Sequence, residues 1–378
     1  MKRFSLFLIV PVLVLCISSC TGKQKKQAVA TANTDSLEVK YATGFSVYYT
    51  EKYKQVVVHN PWEKGKVYAT YYLVEDNDIE TPADGVKVLI PVHSLAAASV
   101  THFEFLNLLD ELHTVTGVCQ PHLIYNETLR NKAASGEIAD LGDAFQIDIE
   151  NTLHLHPDAV MMSGLNQKDA NAQRILQAGI PVVYNNEWTE TSLLGRAEWI
   201  KFVSVFYNKE AVADSVFRDI ENRYSQVSEM ARMVEEKPSV MMGANFRGTW
   251  YMPAGHSFMG QLLNDGGASY FYANDTTTGS LPLNVETVLM NFADTDYWLN
   301  CNYNTLEELL NADKKHGLFK PVKLGRVYNF NKRVLSSGAN DFWESGVARP
   351  DLLLCDVIAI LHPGILSDYE LTYAEKLK

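Results

Sequence analysis

From residue 194 to about 236 the chain has almost no helix breaker beyond Gly195 and the Tyr207-Asn208 pair. Trp199, Phe202, Val203 and Phe206 recur at helical spacing, and Val212, Val216, Ile220 and Val227 carry a stripe onward to a stop near Pro238. This predicts one long helix, or two in tandem, over 195–237. The chain reads differently on both sides of it. Before it, apolar runs of strand length at 86–92, 114–119, 159–162 and 180–184 alternate with helix-like segments at 101–112, 149–155 and 168–177. After it, strands at 239–243, 297–301 and 326–330 alternate with helices at 258–263, 285–290, 306–310 and 351–361. Such alternation implies parallel strand pairing with helices on both faces. A chain of 378 residues is too long for one core. We therefore expect an α/β protein with an N-terminal lobe at 86–194, a connecting helix at 195–237 and a C-terminal lobe at 238–378.

The start of the chain sets the compartment. Lys2 and Arg3 precede an apolar run over 4–15, and small residues follow before Cys20. A basic n-region, a short h-region and small residues at a cut site describe an export signal over 1–19, not a membrane span. A cysteine directly after the small residues matches a lipoprotein signal, with Cys20 acylated. Residues 20–38 are polar and read as a flexible tether. Its early charges, Lys23, Lys25 and Lys26, are basic, and we expect a periplasm-facing anchor in the cell envelope. The region 39–85 carries short β-like runs at 45–49, 55–58 and 67–73, punctuated by Asn60-Pro61-Trp62 and Lys64-Gly65. It reads as a β-hairpin extension.

The formal charge is −12, and loss of Lys2 and Arg3 takes it to −14. With no basic stripe to neutralise phosphates, that balance argues against nucleic acid as a partner. Cys119, Cys301 and Cys355 sit in apolar stretches and read as buried small hydrophobes. There is no P-loop, zincin helix or dinucleotide fingerprint. Gly255-His256-Ser257-Phe258-Met259-Gly260 is one residue too long for a nucleophile elbow and follows Pro253 rather than a strand.

Several segments carry a family likeness: 138–162 (IADLGDAFQIDIENTLHLHPDAVMM), 179–184 (GIPVVY), 195–202 (GRAEWIKF), the Asp265-Gly266-Gly267 turn, and 318–328 (LFKPVKLGRVY). In this order the chain resembles the substrate-binding lipoproteins of ABC importers for iron chelates, haem and cobalamin. The resemblance implies two Rossmann-like lobes joined by a rigid helix, with the ligand captured between them. It implies no catalysis and no resident cofactor, since any iron or cobalt would belong to the ligand. It also implies that one glutamate per lobe, Glu150 and Glu286, docks on arginines of the permease dimer in the inner membrane. The protein would work as a monomer, tied to the membrane only by lipid. Both glutamates also suit a helix first turn, where a carboxylate contributes about 0.3–1 kcal/mol.

Ligands of open α/β sheets bind beyond the C-terminal strand ends. The expected cleft residues are His93, Gln120, His122, Asp143, Phe145 and Trp188 in the first lobe. In the second they are Phe246, Arg247, Trp250, Tyr270, Tyr272, Asn340 and Trp343. Aromatics at these ends suit a large flat ligand, and arginine clamps carboxylates. Arg349 is a weaker candidate clamp, and Arg196 reads as structural. His93 and His122 with Asp143 would make part of a metal site if they converged, but no reinforcing ligand spacing supports this. The alternatives are a free metal-ion binder and a periplasmic enzyme on a two-lobe scaffold.

Overall fold

The computed structural model describes residues 35–167 and 169–378. The signal, Cys20 and most of the tether lie outside them. Among the described residues no helix is long and apolar enough to cross a membrane.

The first sheet is larger than a hairpin. Its strands are β1 (Asp35–Ser36), β2 (Phe45–Tyr49), β3 (Lys54–His59), β4 (Val67–Val74) and β5 (Val86–Leu89), in that order. β1 to β4 pair antiparallel, and β5 joins β4 in parallel. The expected first strand of the lobe, 86–92, therefore belongs to this sheet. Alternation in β2 and β3 turns Phe45, Val47, Val56 and Val58 inward into the core of the first lobe.

The lobe itself begins with β6 (Leu95–Ala97), followed by α1 (Phe103–Leu108), β7 (Val115–Val118) and α2 (Glu127–Ser135). Next come β8 (Ala139–Asp140) and the short hairpin of β9 (Gly142–Asp143) and β10 (Gln146–Ile147). Then α3 (Ile149–Leu155), β11 (Ala159–Met162), α4 (Ala170–Gln177) and β12 (Val182–Tyr184) complete it. The sheet order is β12-β11-β6-β7-β8, parallel throughout. All four residues of β11 are buried, as befits a strand covered on both faces.

The connector is two helices, α5 (Leu193–Ser204) and α6 (Glu210–Arg232), broken at Asn208 with φ of 56°. Every residue of α5 is buried. α6 spans about 34 Å at 1.5 Å per residue. Its buried stripe is Ala213, Phe217, Ile220, Tyr224, Ser228 and Ala231, so only Ile220 of the valine-rich stripe read from sequence faces fully inward.

Two buried carboxylates fasten the first sheet to α5. Glu198 accepts from the backbone N–H groups of Lys40, Tyr41 and Ala42 at 2.9, 2.6 and 2.8 Å. Glu190 accepts from Thr43 and Gly44 N–H at 2.9 and 2.8 Å, and from the Trp199 indole at 3.0 Å. A Cβ on Gly44 would stand 2.6 Å from the Trp199 ring, so this approach requires glycine.

The second lobe contains β13 (Ser239–Met242), β14 (Asn245–Phe246), β15 (Thr249–Pro253), α7 (Phe258–Asp265), β16 (Ser269–Tyr270) and β17 (Ser280–Leu283). It continues with α8 (Val285–Phe292), β18 (Tyr297–Leu299), α9 (Leu306–Ala312), α10 (Lys320–Lys323) and β19 (Val327–Asn329). It ends with α11 (Asp341–Glu344), α12 (Pro350–Leu361) and β20 (Glu375–Lys376). The main sheet runs β16-β13-β18-β19-β20, with only β20 antiparallel. β14, β15 and β17 form a separate antiparallel sheet. Asp356 on α12 accepts from the amides of Thr372, Tyr373 and Ala374, which brings the last strand to the sheet edge. All three described cysteines are free.

Candidate functional site: the interlobe cleft

The loops beyond the C-terminal strand ends of the first lobe are built by local hydrogen bonds. Gln120 follows β7 in a left-handed conformation, and its N–H donates to the Gly142 carbonyl at 2.8 Å. Its side-chain amide reaches Asp143 at 3.2 Å, which joins two of the expected residues. Asp143 also accepts from the Phe145 N–H at 2.8 Å, an Asx turn that lifts the Phe145 ring to 74% exposure. His122 stands exposed on the same loop. Trp188 follows β12 on a short 3-10 turn and is 41% exposed.

In the second lobe β14 and β15 form a hairpin with a two-residue turn, Arg247-Gly248, both at positive φ. The turn presents Phe246, 60% exposed, with the Arg247 guanidinium 5.0 Å from its ring centre. Among the described residues Arg247 has no carboxylate within 4.0 Å. Trp343 projects from α11 at 49% exposure, with its neighbour Phe342 turned inward to stack on Phe330.

Other expectations change. His93 precedes β6, and its N–H donates to Asp158, which precedes β11. It lies at the N-terminal edge of the sheet, opposite His122, because the run at 86–92 belongs to the first sheet. The two histidines cannot converge. Trp250 is wholly buried, with its indole donating to the Met242 carbonyl at 2.9 Å. In the two-residue period of β15 it points inward, and Tyr251 faces solvent instead. Tyr270 is buried, its hydroxyl donating to the Pro253 carbonyl. Tyr272 packs on Phe271 and Phe292. Asn340 caps α11: it accepts from Phe342 N–H at 3.0 Å and donates to the Phe330 carbonyl at 2.9 Å. Arg349 is held by Asp351, while Arg196, held by Glu187, keeps the structural role expected of it.

The lobes meet at a polar seam. Glu344 of the second lobe accepts from the amides of Tyr125 and Asn126 in the first, at 2.7 and 2.8 Å. These amides precede α2, where a carboxylate is favoured by the helix dipole. Arg196 on α5 lies 4.7 Å from the Phe258 ring centre on α7, a second bridge. Beside Glu344 is a cavity of about 430 Å³ lined by Glu104, Arg130, Arg333, Asp341 and Arg349 among others. A larger hollow of about 550 Å³ lies by Pro238, Asp296 and Arg326, which precede β13, β18 and β19, so it sits at the opposite edge from the cleft. Asn340 and Trp343 beside Glu344 are marked in the sequence, but Glu104 and Tyr125 are not, since nothing local marks residues that meet only across the lobes.

Burial pushes the Glu104 carboxyl up to about 7. Burial also pushes Glu344 up to about 7, against the pull of its two amide donors. The folded seam therefore holds protons that the unfolded chain, with carboxyls near 4.3, releases. The stabilisation is present below about pH 4.5 and is lost as pH rises through 7. Glu104→Gln is expected to flatten this fall, raising stability at pH 8 by about 1–2 kcal/mol relative to pH 5. Urea denaturation at the two pH values checks it; parallel pH profiles for variant and wild type would refute the assignment. His102, beneath the loop after β6, acts oppositely: burial pushes it down to about 3, and its contribution is lost as pH falls below 6.5.

A family model described as periplasmic binding protein matches residues 95–334. The chain belongs to the periplasmic binding protein family. An uncharacterized lipoprotein of Methanocaldococcus jannaschii is 24% identical to it, over 86% of this chain and 82% of that one. Among solved structures, a possible iron-binding (periplasmic solute-binding) protein from Staphylococcus epidermidis superposes with a TM-score of 0.56 at 15% identity. That match covers 72% of this chain and 99% of the other. The periplasmic haem-binding protein HutB of Vibrio cholerae gives 0.54 at 15% identity, covering 69% and 99%. At these identities the structural likeness establishes the two-lobe fold. In this periplasmic binding protein Glu150 and Glu286 each stand second in a capped helix. Glu150 follows the Asp148 cap of α3, and Glu286 follows the Asn284 cap of α8. Glu286 also lies 3.3 Å from Lys315, and its carboxyl is lowered by its own backbone amide and by that lysine.

Proposed function

We propose that this protein captures a metal chelate of the siderophore, haem or cobalamin class between its lobes and delivers it to an ABC importer in the inner membrane. Lipid on Cys20 holds it in the cell envelope, facing the periplasm. The observation that carries the reading is the set of exposed aromatics at the strand ends of both lobes, Phe145, Trp188, Phe246 and Trp343, beside Arg247, which has no carboxylate partner among the described residues. Rings at such positions bury a flat ligand, and a free guanidinium binds its carboxylates. The haem- and iron-binding descriptions of the structural neighbours support this class. Glu150 and Glu286 dock the loaded protein on the permease dimer. A free metal-ion reading is not favoured, because His93 and His122 lie at opposite sheet edges.

Thermal denaturation against haemin, cyanocobalamin, ferric siderophores and Zn²⁺ tests this. One chelate class should stabilise the protein, by about 2.7 kcal/mol at one hundred times its dissociation constant. A shift with zinc alone, or with nothing in the panel, would refute the ligand class.

A further inference from the structure

The sheet of β1 to β5 precedes the residues matched by the family model, yet it reaches the cleft. Tyr68 on β4 meets the loop after β11. Its hydroxyl donates to the Leu165 carbonyl at 2.9 Å and accepts from the Leu165 N–H at 3.1 Å. A Cβ on Gly164 would stand 2.8 Å from the Tyr68 ring, so the loop lies flush against it. The Tyr68 ring contacts Tyr184 at the end of β12, with centroids 5.0 Å apart. Trp62 extends this chain of rings. It sits in the turn between β3 and β4, where Asn60 accepts from its N–H at 2.9 Å. Its ring centre is 5.5 Å from Tyr68 and 6.1 Å from Trp188.

These rings differ from the core tryptophans. Trp199, Trp250 and Trp298 are wholly buried, and each indole N–H has a protein acceptor: Glu190, the Met242 carbonyl and the Gly243 carbonyl. Trp62 is half-buried and Trp188 exposed, and among the described residues neither indole N–H has an acceptor. Aromatic faces left to solvent beside a strand-end loop suit a π-face from outside.

We propose that Trp62, brought by the added sheet, joins Trp188 as a stacking rim for the conjugated part of the ligand, such as a tetrapyrrole edge or a catecholate ring. The added sheet thereby selects among chelates, favouring those with a planar π-system. This rests on the chelate-binding reading.

The test compares wild type, Trp62→Ala, Trp62→Phe and Trp188→Ala by calorimetric titration. The probes are haemin, a ferric tris-catecholate and a ferric tris-hydroxamate without aromatic rings. Loss of the Trp62 ring should weaken a conjugated probe about tenfold, with substantial rescue by phenylalanine. Affinity for a conjugated probe within twofold of wild type in Trp62→Ala would overturn the rim. So would wild-type binding of the hydroxamate alone, although the chelate reading would then survive. Wild-type binding of no chelate would overturn both. Melting curves separate a lost contact from a lost fold.

Discussion

Replacing Glu198 by alanine is expected to destabilise the protein by about 3–5 kcal/mol. The side chain is wholly buried, and it answers three consecutive backbone N–H groups at 40–42. These donors are partly buried, so each one left unpaired costs at most about 1–3 kcal/mol. Lys201, which lies 3.3 Å from Glu198, would also lose its buried partner. Part of the loss is recoverable, since Lys201 also reaches Asp214 at 3.2 Å and the Glu38 carbonyl at 2.8 Å. Glu198→Gln keeps one acceptor oxygen and should fall between. Urea denaturation reads the effect, and a loss below about 1 kcal/mol would show that the first sheet holds to α5 without this staple.

Reversing both proposed docking charges, Glu150→Lys with Glu286→Lys, should abolish delivery to the permease while leaving ligand affinity unchanged. Charge pairs across an interface set register and encounter rate, and a repulsive pair costs several kcal/mol. Each single reversal should therefore reduce uptake by at least about tenfold, and the two should multiply because the sites lie on different lobes. Folding should survive, since a first-turn carboxylate contributes only about 0.3–1 kcal/mol. The Glu150 variant should show the larger single effect, because Glu286 must first exchange Lys315 for the permease. Uptake by the double variant at the wild-type rate, measured in vesicles carrying the transporter, would remove both residues from the interface.

Legibility in the sequence followed the range of the forces involved. α3 and β11 lie where the residues indicate, because Asp148 caps one end and His156-Pro157 stops the other. α5 was legible as a helix with an apolar face, but not as one buried on every side. Glu198 and Lys201 resemble a solvated face, yet both are buried, answered by groups brought from elsewhere in the fold. α2 was missed because only Leu129 of its residues is buried, so it has no apolar stripe to read. In the site, exposed aromatics on loops were legible from their place after apolar runs. Trp250 and Tyr251 were not separable, since a one-residue change of strand phase exchanges core for surface. His93 was misplaced because an apolar run shows a strand but not the sheet it joins.

The decisive measurement is amide hydrogen exchange with and without saturating chelate. Bound chelate should slow exchange in loops of both lobes at once, at 120–123, 143–145, 185–188, 245–248 and 340–344. Protection confined to one lobe, or centred on the hollow by Pro238 and Arg326, would contradict capture between the lobes.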